Sequence, residues 1–216
     1  MLELDHIHIA ARSRVLIRDL SARVAGGAVL AVMGESGSGK SSLLAYLCGT
    51  LAPGIEARGD VRLDGRDIGA LPTLQRRVGI LFQDDLLFPH LSVLGNLLFA
   101  SPPAAGAGAR TQRAGQAHAA LAQAGLEGHA QHLPHTLSGG QRARVSVLRA
   151  LLAQPRALLL DEPFARLDAD LRERFRAFVF ERLRELGIPA VLVTHDVHDV
   201  PPGAQCIRLL PERIDA

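Results

Sequence analysis

Residues 33–42 read MGESGSGKSS, and this stretch decides the fold of the chain. Its residues 34–41 match the pattern G-x-x-x-x-G-K-[ST]; we call them the phosphate loop. Small residues let backbone N–H groups wrap a phosphate, and a following helix directs its positive N-terminus at the anion. AVLAVM (28–33) predicts a buried strand before the loop, and KSSLLAYLC after it predicts a helix that stops at Gly49. Strand, loop and helix together predict a nucleotide-binding site.

Lys40, inside this loop, is the only lysine among the 24 Lys and Arg residues of the chain. Lysine carries a compact ammonium on a thin stem, whereas the wide planar fork of arginine would crowd a loop closed around phosphate. A chain that uses arginine everywhere else therefore marks this position as one where the two are not interchangeable. The predicted nucleotide-binding residues here are Gly34, Glu35, Ser36, Gly37, Ser38, Gly39, Lys40, Ser41 and Ser42.

A second group of polar residues follows two other predicted strands. ALLLD (157–161) delivers Asp161 and Glu162 at its end, and AVLVTH (190–195) ends on His195. Ligands of open α/β sheets bind outside the carboxyl ends of the strands. Asp161 and the Ser41 hydroxyl suit Mg²⁺, and Glu162 is placed to polarise a water for attack on a γ-phosphate. His195 is predicted to contact that phosphate and to orient Glu162.

The bulk composition is that of an ordinary globular protein. The chain has 216 residues, 48% hydrophobic and 21% charged, with a net charge of +2 that does not indicate nucleic acid binding. The first residues lack the pattern of a secretory signal, and residues 86–100 are too short and polar to span a bilayer. Two cysteines without metal-type spacing indicate a reduced cytosolic compartment. His129, His132 and His135 are interrupted by Pro134, so no zinc site is expected.

The remaining pattern alternates strands with helices, which predicts a parallel α/β core. VGILFQ (78–83) predicts a further strand, and 59–68 a hairpin turning at Asp64-Gly65. Helices are expected from Ser138 to about Ala153 and over 171–186; Leu171, Phe175, Val179, Leu183 and Leu186 form one apolar face of the latter. Residues from about 88 to 153 are expected to form a helical insertion.

LSGGQ (137–141), which we call the signature segment, identifies the class. Its serine predicts an N-cap and its glycines open a helix, a second anion-binding helix start. Together with the phosphate loop, Gln83, LLLDEPF (158–164) and ARLD (165–168), it resembles an ATP-binding cassette (ABC) ATPase in the family's order over nearly the whole chain. The resemblance implies a P-loop NTPase fold with a RecA-like parallel sheet core, a small antiparallel β subdomain and an inserted α-helical subdomain. It implies one domain, 1–216, with 1–87 and 154–216 in the core and about 88–153 helical.

The resemblance also implies a head-to-tail homodimer that sandwiches two ATP molecules with Mg²⁺. Ser138, Gly140 and Gln141 would hold the γ-phosphate bound to the partner's Lys40. Gln83 would reach Mg²⁺ and the attacking water, and Asp168 would act across the dimer interface. ATP would close the dimer and hydrolysis would open it.

Residues 82–99, FQDDLLFPHLSVLGNLLF, resemble the stretch of importer cassettes that receives a helix of the membrane permease subunit. This implies an importer of a small solute, with a separate solute-binding protein, at the cytoplasmic face of the membrane. The most specific resemblance is to an uncharacterised group near the thiamine import cassettes. An ABC-type regulator or an exporter ATPase stays open as the alternative, and the small size argues against soluble ABC ATPases that act on nucleic acid.

The chain departs from the family in the region before the phosphate loop. The family usually places an aromatic residue there to stack on adenine, whereas this chain reads HIAARSR (8–14). Arg12 or His8 is the substitute that the sequence offers. Weak discrimination between ATP and GTP is therefore expected.

Overall fold

The computed structural model describes residues 1–11, 14–103, 108–165 and 167–210. They form two compact units: the first comprises Met1–Ile80, Arg156–Glu162 and Phe180–Ala216, and the second Leu81–Pro155 and Pro163–Val179. The strands are β1 (Leu2–Ala11), β2 (Arg14–Val24), β3 (Val29–Gly34), β4 (Ile55–Leu63), β5 (Arg66–Asp67), β6 (Val78–Leu81), β7 (Ala157–Asp161), β8 (Ala190–Thr194) and β9 (Gln205–Leu209). The helices are α1 (Lys40–Cys48), α2 (Thr73–Arg76), α3 (Val93–Ala100), α4 (Ala109–Gln123), α5 (Gly139–Leu152) and α6 (Ala169–Leu186).

A parallel sheet carries the predicted core, in the order β6-β7-β8-β3-β9. Strand β3 pairs in parallel with β8 and β9, and β8 pairs in parallel with β7. Leu30, Leu159 and Val191 are fully buried, as expected for strands covered on both faces. The four predicted strands of this sheet are confirmed to within two residues, since β6 ends at Leu81 and β8 at Thr194; its fifth strand, β9, was not predicted.

A second, antiparallel sheet has the order β2-β1-β4-β5. The predicted turn of its hairpin is present: Asp64 and Gly65 both have positive φ, as a two-residue turn of type I′ requires. The sheet confirms the small antiparallel β subdomain of the predicted fold. Its long strands β1 and β2, however, were not located from the sequence.

The second unit is mostly helical and contains α3, α4, α5 and the first part of α6. Its core packs Val93, Leu97, Leu121 and Val145, all fully buried. Three of the five residues on the predicted apolar face of α6 are buried, but Leu186 is 56% exposed, because the helix ends there and Gly187 turns away with φ +62°. Among the described helices, none has the length and apolar character that a membrane crossing requires.

Candidate nucleotide site

The register of the parallel sheet brings three strand ends to one edge. Met33 lies opposite Thr194, and Asp161 lies opposite Val193. The phosphate loop follows β3, Glu162 follows β7, and His195 follows β8. The edge therefore gathers residues that are more than 120 positions apart in the sequence (Lys40 and Glu162) into one place.

The glycines of the phosphate loop are required by backbone geometry at two positions. Gly37 and Gly39 have φ of +79° and +96°, a conformation that side chains disfavour. At Gly39 an added Cβ would also lie 2.9 Å from the Cβ of Leu16. Ser38 is buried, and its Oγ has no hydrogen-bond partner among the described residues. Its Oγ lies beside Gly34, where an added Cβ would approach it to 2.5 Å, and Ser38 is not among the residues that line the cavity next to the loop.

Lys40 is buried in the loop, 7% exposed. Its Nζ donates hydrogen bonds to the carbonyl oxygens of Gly34 (2.7 Å) and Glu35 (2.8 Å). An ammonium can only donate hydrogen bonds, and the two acceptors of Lys40 here are neutral carbonyl oxygens and not carboxylates. The lysine charge is thus held inside the loop, where an anionic phosphate would pair with it.

A cavity of about 540 Å³ lies against the loop. This size lies within the range of small-molecule sites. It joins the predicted phosphate-binding and catalytic groups in one space within the first unit. Its lining consists of Leu16, Ser36, Gly37, Gly39, Lys40, Ser41, Ser42, Glu162 and His195.

The acidic residues at the edge are electrostatically coupled to the loop. Burial raises the pKa of the Asp161 carboxyl, the charge of Glu162 raises it further, and Lys40 opposes the shift. Nδ1 of His195 lies 3.2 Å from Oε2 of Glu162, so the histidine can orient that carboxylate. Glu162 itself has φ +47°, a strained conformation fixed by its N–H, which donates to Val193 O at 3.0 Å. A raised pKa beside a strained carboxylate is typical of a functional site.

The signature segment begins α5 in the second unit, and Ser138 is the N-cap as predicted. Its Oγ accepts from the Gln141 N–H at 3.3 Å, and Oε1 of Gln141 accepts from the Ser138 N–H at 2.9 Å, which completes a capping box. An added Cβ at Gly140 would lie 2.5 Å from Cδ1 of Leu171, whereas one at Gly139 would meet only Arg142 Nη2, at 3.8 Å. The exposed side of this helix start is therefore at Ser138 and Gly139.

Gln83 and Asp168 also belong to the second unit, and neither is among the residues that line the large cavity. Gln83 borders a smaller cavity of about 140 Å³ together with Gly139 and Arg142. Asp168 accepts through Oδ1 from the Leu171 N–H at 3.0 Å and so caps α6. Within the second unit, Asp168 therefore has a local capping role and Gln83 borders the smaller cavity.

Two features of the site were missed in the sequence. Leu16 lines the cavity, although no sequence pattern marks it as a site residue. His8, a predicted substitute for the adenine-stacking aromatic, lies in β1 opposite Arg58 and does not line the cavity. Arg12, the other predicted substitute, and Arg166 of the ARLD segment lie outside the described residues. Helix α5 also binds the segment after Gln83 through Asp85. Arg142 Nε forms an ion pair with Asp85 Oδ2 at 3.0 Å, and the Ser146 hydroxyl donates to the Asp85 carbonyl at 2.9 Å. The i, i+4 spacing of 142 and 146 was the available signal.

The site fits a magnesium nucleotide by the chemistry of its groups. The described residues contain no group of three or more His, Cys, Asp or Glu that could hold a metal alone. Ser41 and Asp161 supply two hard oxygen donors beside a phosphate-sized loop, as in sites where Mg²⁺ is shared with substrate phosphates. The residues present therefore suit a metal that arrives with the nucleotide.

Comparison with known proteins gives the family. The profile described as "ABC transporter" matches residues 17–165. The uncharacterised ABC transporter ATP-binding protein YnjD of Escherichia coli K12 is 49% identical over 89% of this chain and 87% of its own length. The thiamine import ATP-binding protein ThiQ of Jannaschia sp. CCS1 is 41% identical over 98% and 90%. A dimeric, post-hydrolysis structure of the ATP-binding cassette MJ0796 bound to ADP and Pi superposes with a TM-score of 0.77 at 29% identity, covering 97% of this chain and 94% of that one. As the motifs indicated, the chain belongs to the ABC transporter family of ATP-binding proteins.

Proposed function

We propose that this chain is the ATP-hydrolysing subunit that powers an ABC importer of a small solute. The observation that carries the proposal is the cavity that joins Lys40 and Ser41 of the phosphate loop to Glu162 and His195. The similarity to ThiQ, which is named as a thiamine import ATP-binding protein, supports import as the direction of transport. We propose that residues 1–216 act as one ATPase domain.

In the proposed reaction, the loop N–H groups and Lys40 bind the β- and γ-phosphates of ATP. Glu162 accepts a proton from the water that attacks the γ-phosphorus, the bond from that phosphorus to the β–γ bridging oxygen breaks, and ADP leaves. His195 holds the Glu162 carboxylate in place. Bound Mg²⁺, held by Ser41, Asp161 and Gln83, would neutralise phosphate charge.

The proposed site is completed by a second copy of the chain. Ser138, Gly140 and Gln141 of one protomer would close on the γ-phosphate bound to the other, and Asp168 would act across the interface. The exposed helix start at Ser138 and Gly139 supports this. The Gly139 and Gly140 N–H groups lie between the two that the capping box pairs, and the helix dipole there suits an anion. The dimeric MJ0796 structure bound to ADP and Pi supports the dimer.

A pair of glycine substitutions tests this arrangement. Gly139→Ala should leave folding intact, because the nearest atom to the added Cβ is Arg142 Nη2 at 3.8 Å. If a partner's phosphate approaches this position, ATP hydrolysis should fall about tenfold or more, as expected when one anion-stabilising contact is obstructed. Thermal unfolding and steady-state ATPase assays measure the two effects.

Gly140→Ala serves as the structural counterpart. Its Cβ would clash with Leu171 within the same chain, so a loss of stability of about 1–3 kcal/mol is expected from overpacking. A Gly139→Ala protein that hydrolyses ATP at the wild-type rate would show that no partner closes on this helix start.

The proposed permease contact lies on residues 83–99, which we call the docking segment. Leu86 and Phe99 are 56% and 69% exposed, unusual for large apolar side chains. The segment is held rigidly: Arg149 Nη1 donates to the Leu86 carbonyl at 2.6 Å, and buried Asn96 bonds both the N–H (2.8 Å) and the carbonyl (3.1 Å) of Phe88. We propose that permease subunits bind here, which places the chain at the cytoplasmic face of the membrane, with a separate solute-binding protein completing the system.

Leu86→Asp tests the transporter assignment. Leu86 has φ +47°, which aspartate tolerates better than leucine, so folding should be preserved. Tagged protein purified in detergent from native membranes should lose its co-purifying permease, identified by mass spectrometry, while basal ATP hydrolysis stays unchanged. Leu74→Asp is the matched control, because Leu74 is 94% exposed but lies on α2, outside the docking segment. Equal permease recovery with both variants would contradict docking at this segment.

A further inference from the structure

The side-chain amide of Gln141, in the signature segment, is held at both ends. Its Oε1 accepts from the Ser138 N–H at 2.9 Å, and its Nε2 lies 2.7 Å from Nε2 of His129. A backbone N–H can only donate, so the amide oxygen must be the atom that faces Ser138. The amide nitrogen, which also can only donate, is therefore directed at His129.

This fixes the chemical form of the His129 ring. Its Nε2 must accept the hydrogen bond, which requires a neutral imidazole with the proton on Nδ1. That Nδ1 is buried and has no hydrogen-bond partner among the described residues. The ring of His132 packs against the ring of His129, with 5.0 Å between the two ring centroids. Among the described residues, therefore, the hydrogen bond from Gln141 Nε2 is the interaction that selects the tautomer of His129 with its proton on Nδ1.

The backbone around His129 is anchored, so its ring can act as a fixed support. His129 ends a 3₁₀ turn, Glu127–His129, and its N–H donates to the Leu126 carbonyl at 3.0 Å. The N-terminus of α3 holds the following residues, because the Leu94 N–H donates to Ala130 O and the Val93 N–H donates to His132 O, both at 2.9 Å. The acceptor for Gln141 therefore comes from a rigid part of the second unit.

We propose that His129 is a positioning residue for Gln141. By accepting from Nε2, it keeps the amide oxygen on the Ser138 N–H and prevents the flipped amide, in which two donors would face each other. The shape of the helix start that receives the partner's γ-phosphate is thereby fixed before the dimer closes. This inference rests on the proposed function, which assigns ATP-driven closure to this helix start.

Two substitutions at position 129 test the role by activity. His129→Leu removes the acceptor, and kcat for ATP hydrolysis should fall about threefold to tenfold, the effect of one neutral hydrogen bond. KM for ATP should stay unchanged, because the phosphate loop is in the other unit. In His129→Gln, an amide oxygen lies the same number of bonds from Cβ as Nε2, so activity should return to within about twofold of wild type. His132→Leu is the matched control, since His132 stacks on His129 but makes no hydrogen bond to Gln141 in the described chain.

The tautomer of His129 is measurable without any activity. Nitrogen-15 NMR of histidine-labelled protein, assigned by comparison with His129→Gln, should show the proton on Nδ1 in wild type and a shift towards Nε2 in Gln141→Leu. A proton on Nε2 in wild type, or equal kcat for wild type and His129→Leu, would overturn the proposal. If the wild-type chain does not hydrolyse ATP, the proposed function fails, and the tautomer still decides whether His129 holds Gln141.

Discussion

Lys40→Arg is expected to abolish ATP hydrolysis, with a fall of about 100-fold or more, even though the charge is kept. Lys40 is 7% exposed, and its Nζ lies within 2.8 Å of two carbonyl oxygens of the loop that surrounds it. A guanidinium is planar and wider, with five N–H donors in a fixed fork, so it would displace loop backbone or project into the phosphate position. Steady-state hydrolysis and nucleotide binding by fluorescence titration measure the loss.

The control for this substitution is the reverse exchange at an exposed site. Arg23→Lys alters a side chain that is 80% exposed on β2, so activity and stability should match wild type. The melting temperature of Lys40→Arg should show that the protein still folds. Near-normal hydrolysis by Lys40→Arg would mean that the single lysine of the chain has no special role in the loop.

The phosphate loop and the strand ends could be predicted because each signal is local. A glycine-rich loop after a buried strand, acids after a second strand and a serine before a glycine pair are all contiguous in the sequence. Parallel-sheet geometry then places the strand ends at one edge. The polar residues that line the cavity in the first unit followed from these two steps, whereas the apolar Leu16 did not.

Strands β1 and β2 were missed because their alternation is interrupted. In β1 the buried residues are Leu2 and Leu4, then Ile7 and Ile9, so the period-2 pattern shifts by one residue. His6 and Asp19 have positive φ, and the pairing register between the two strands shifts nearby. Such bulges break the pattern by which strands are recognised.

The contacts that tune the site could not be predicted, because they join residues without a local pattern. The positive φ of Glu162 and the hydrogen bond between Gln141 and His129 depend on how separate segments pack. In the sequence His129 belongs to a histidine triplet that predicts no metal site, and nothing in that pattern indicates a support for glutamine. The sequence therefore predicted which residues carry the chemistry, whereas the side chains and backbone groups that they contact could be identified only in the structure.

Glu162→Gln is expected to lower ATP hydrolysis by about 100-fold to 1,000-fold while leaving ATP binding intact. The amide keeps the size of the side chain but cannot accept a proton from water, and the groups that bind phosphate, Lys40 and Ser41, are untouched. If ATP closes the dimer and hydrolysis opens it, the variant should accumulate as an ATP-bound dimer. Light scattering during size-exclusion chromatography, with and without ATP, measures this species.

Retention of ATP separates loss of the base from loss of the fold, since a misfolded site would neither bind nor dimerise. Combining Glu162→Gln with Lys40→Arg should remove the dimer as well, because the γ-phosphate would no longer be held. His195→Ala should give a smaller loss than Glu162→Gln, because it removes the 3.2 Å contact that orients the carboxylate but not the carboxylate. Unchanged turnover in Glu162→Gln would exclude Glu162 as the base, and the water would then have to be activated by another group at the same edge.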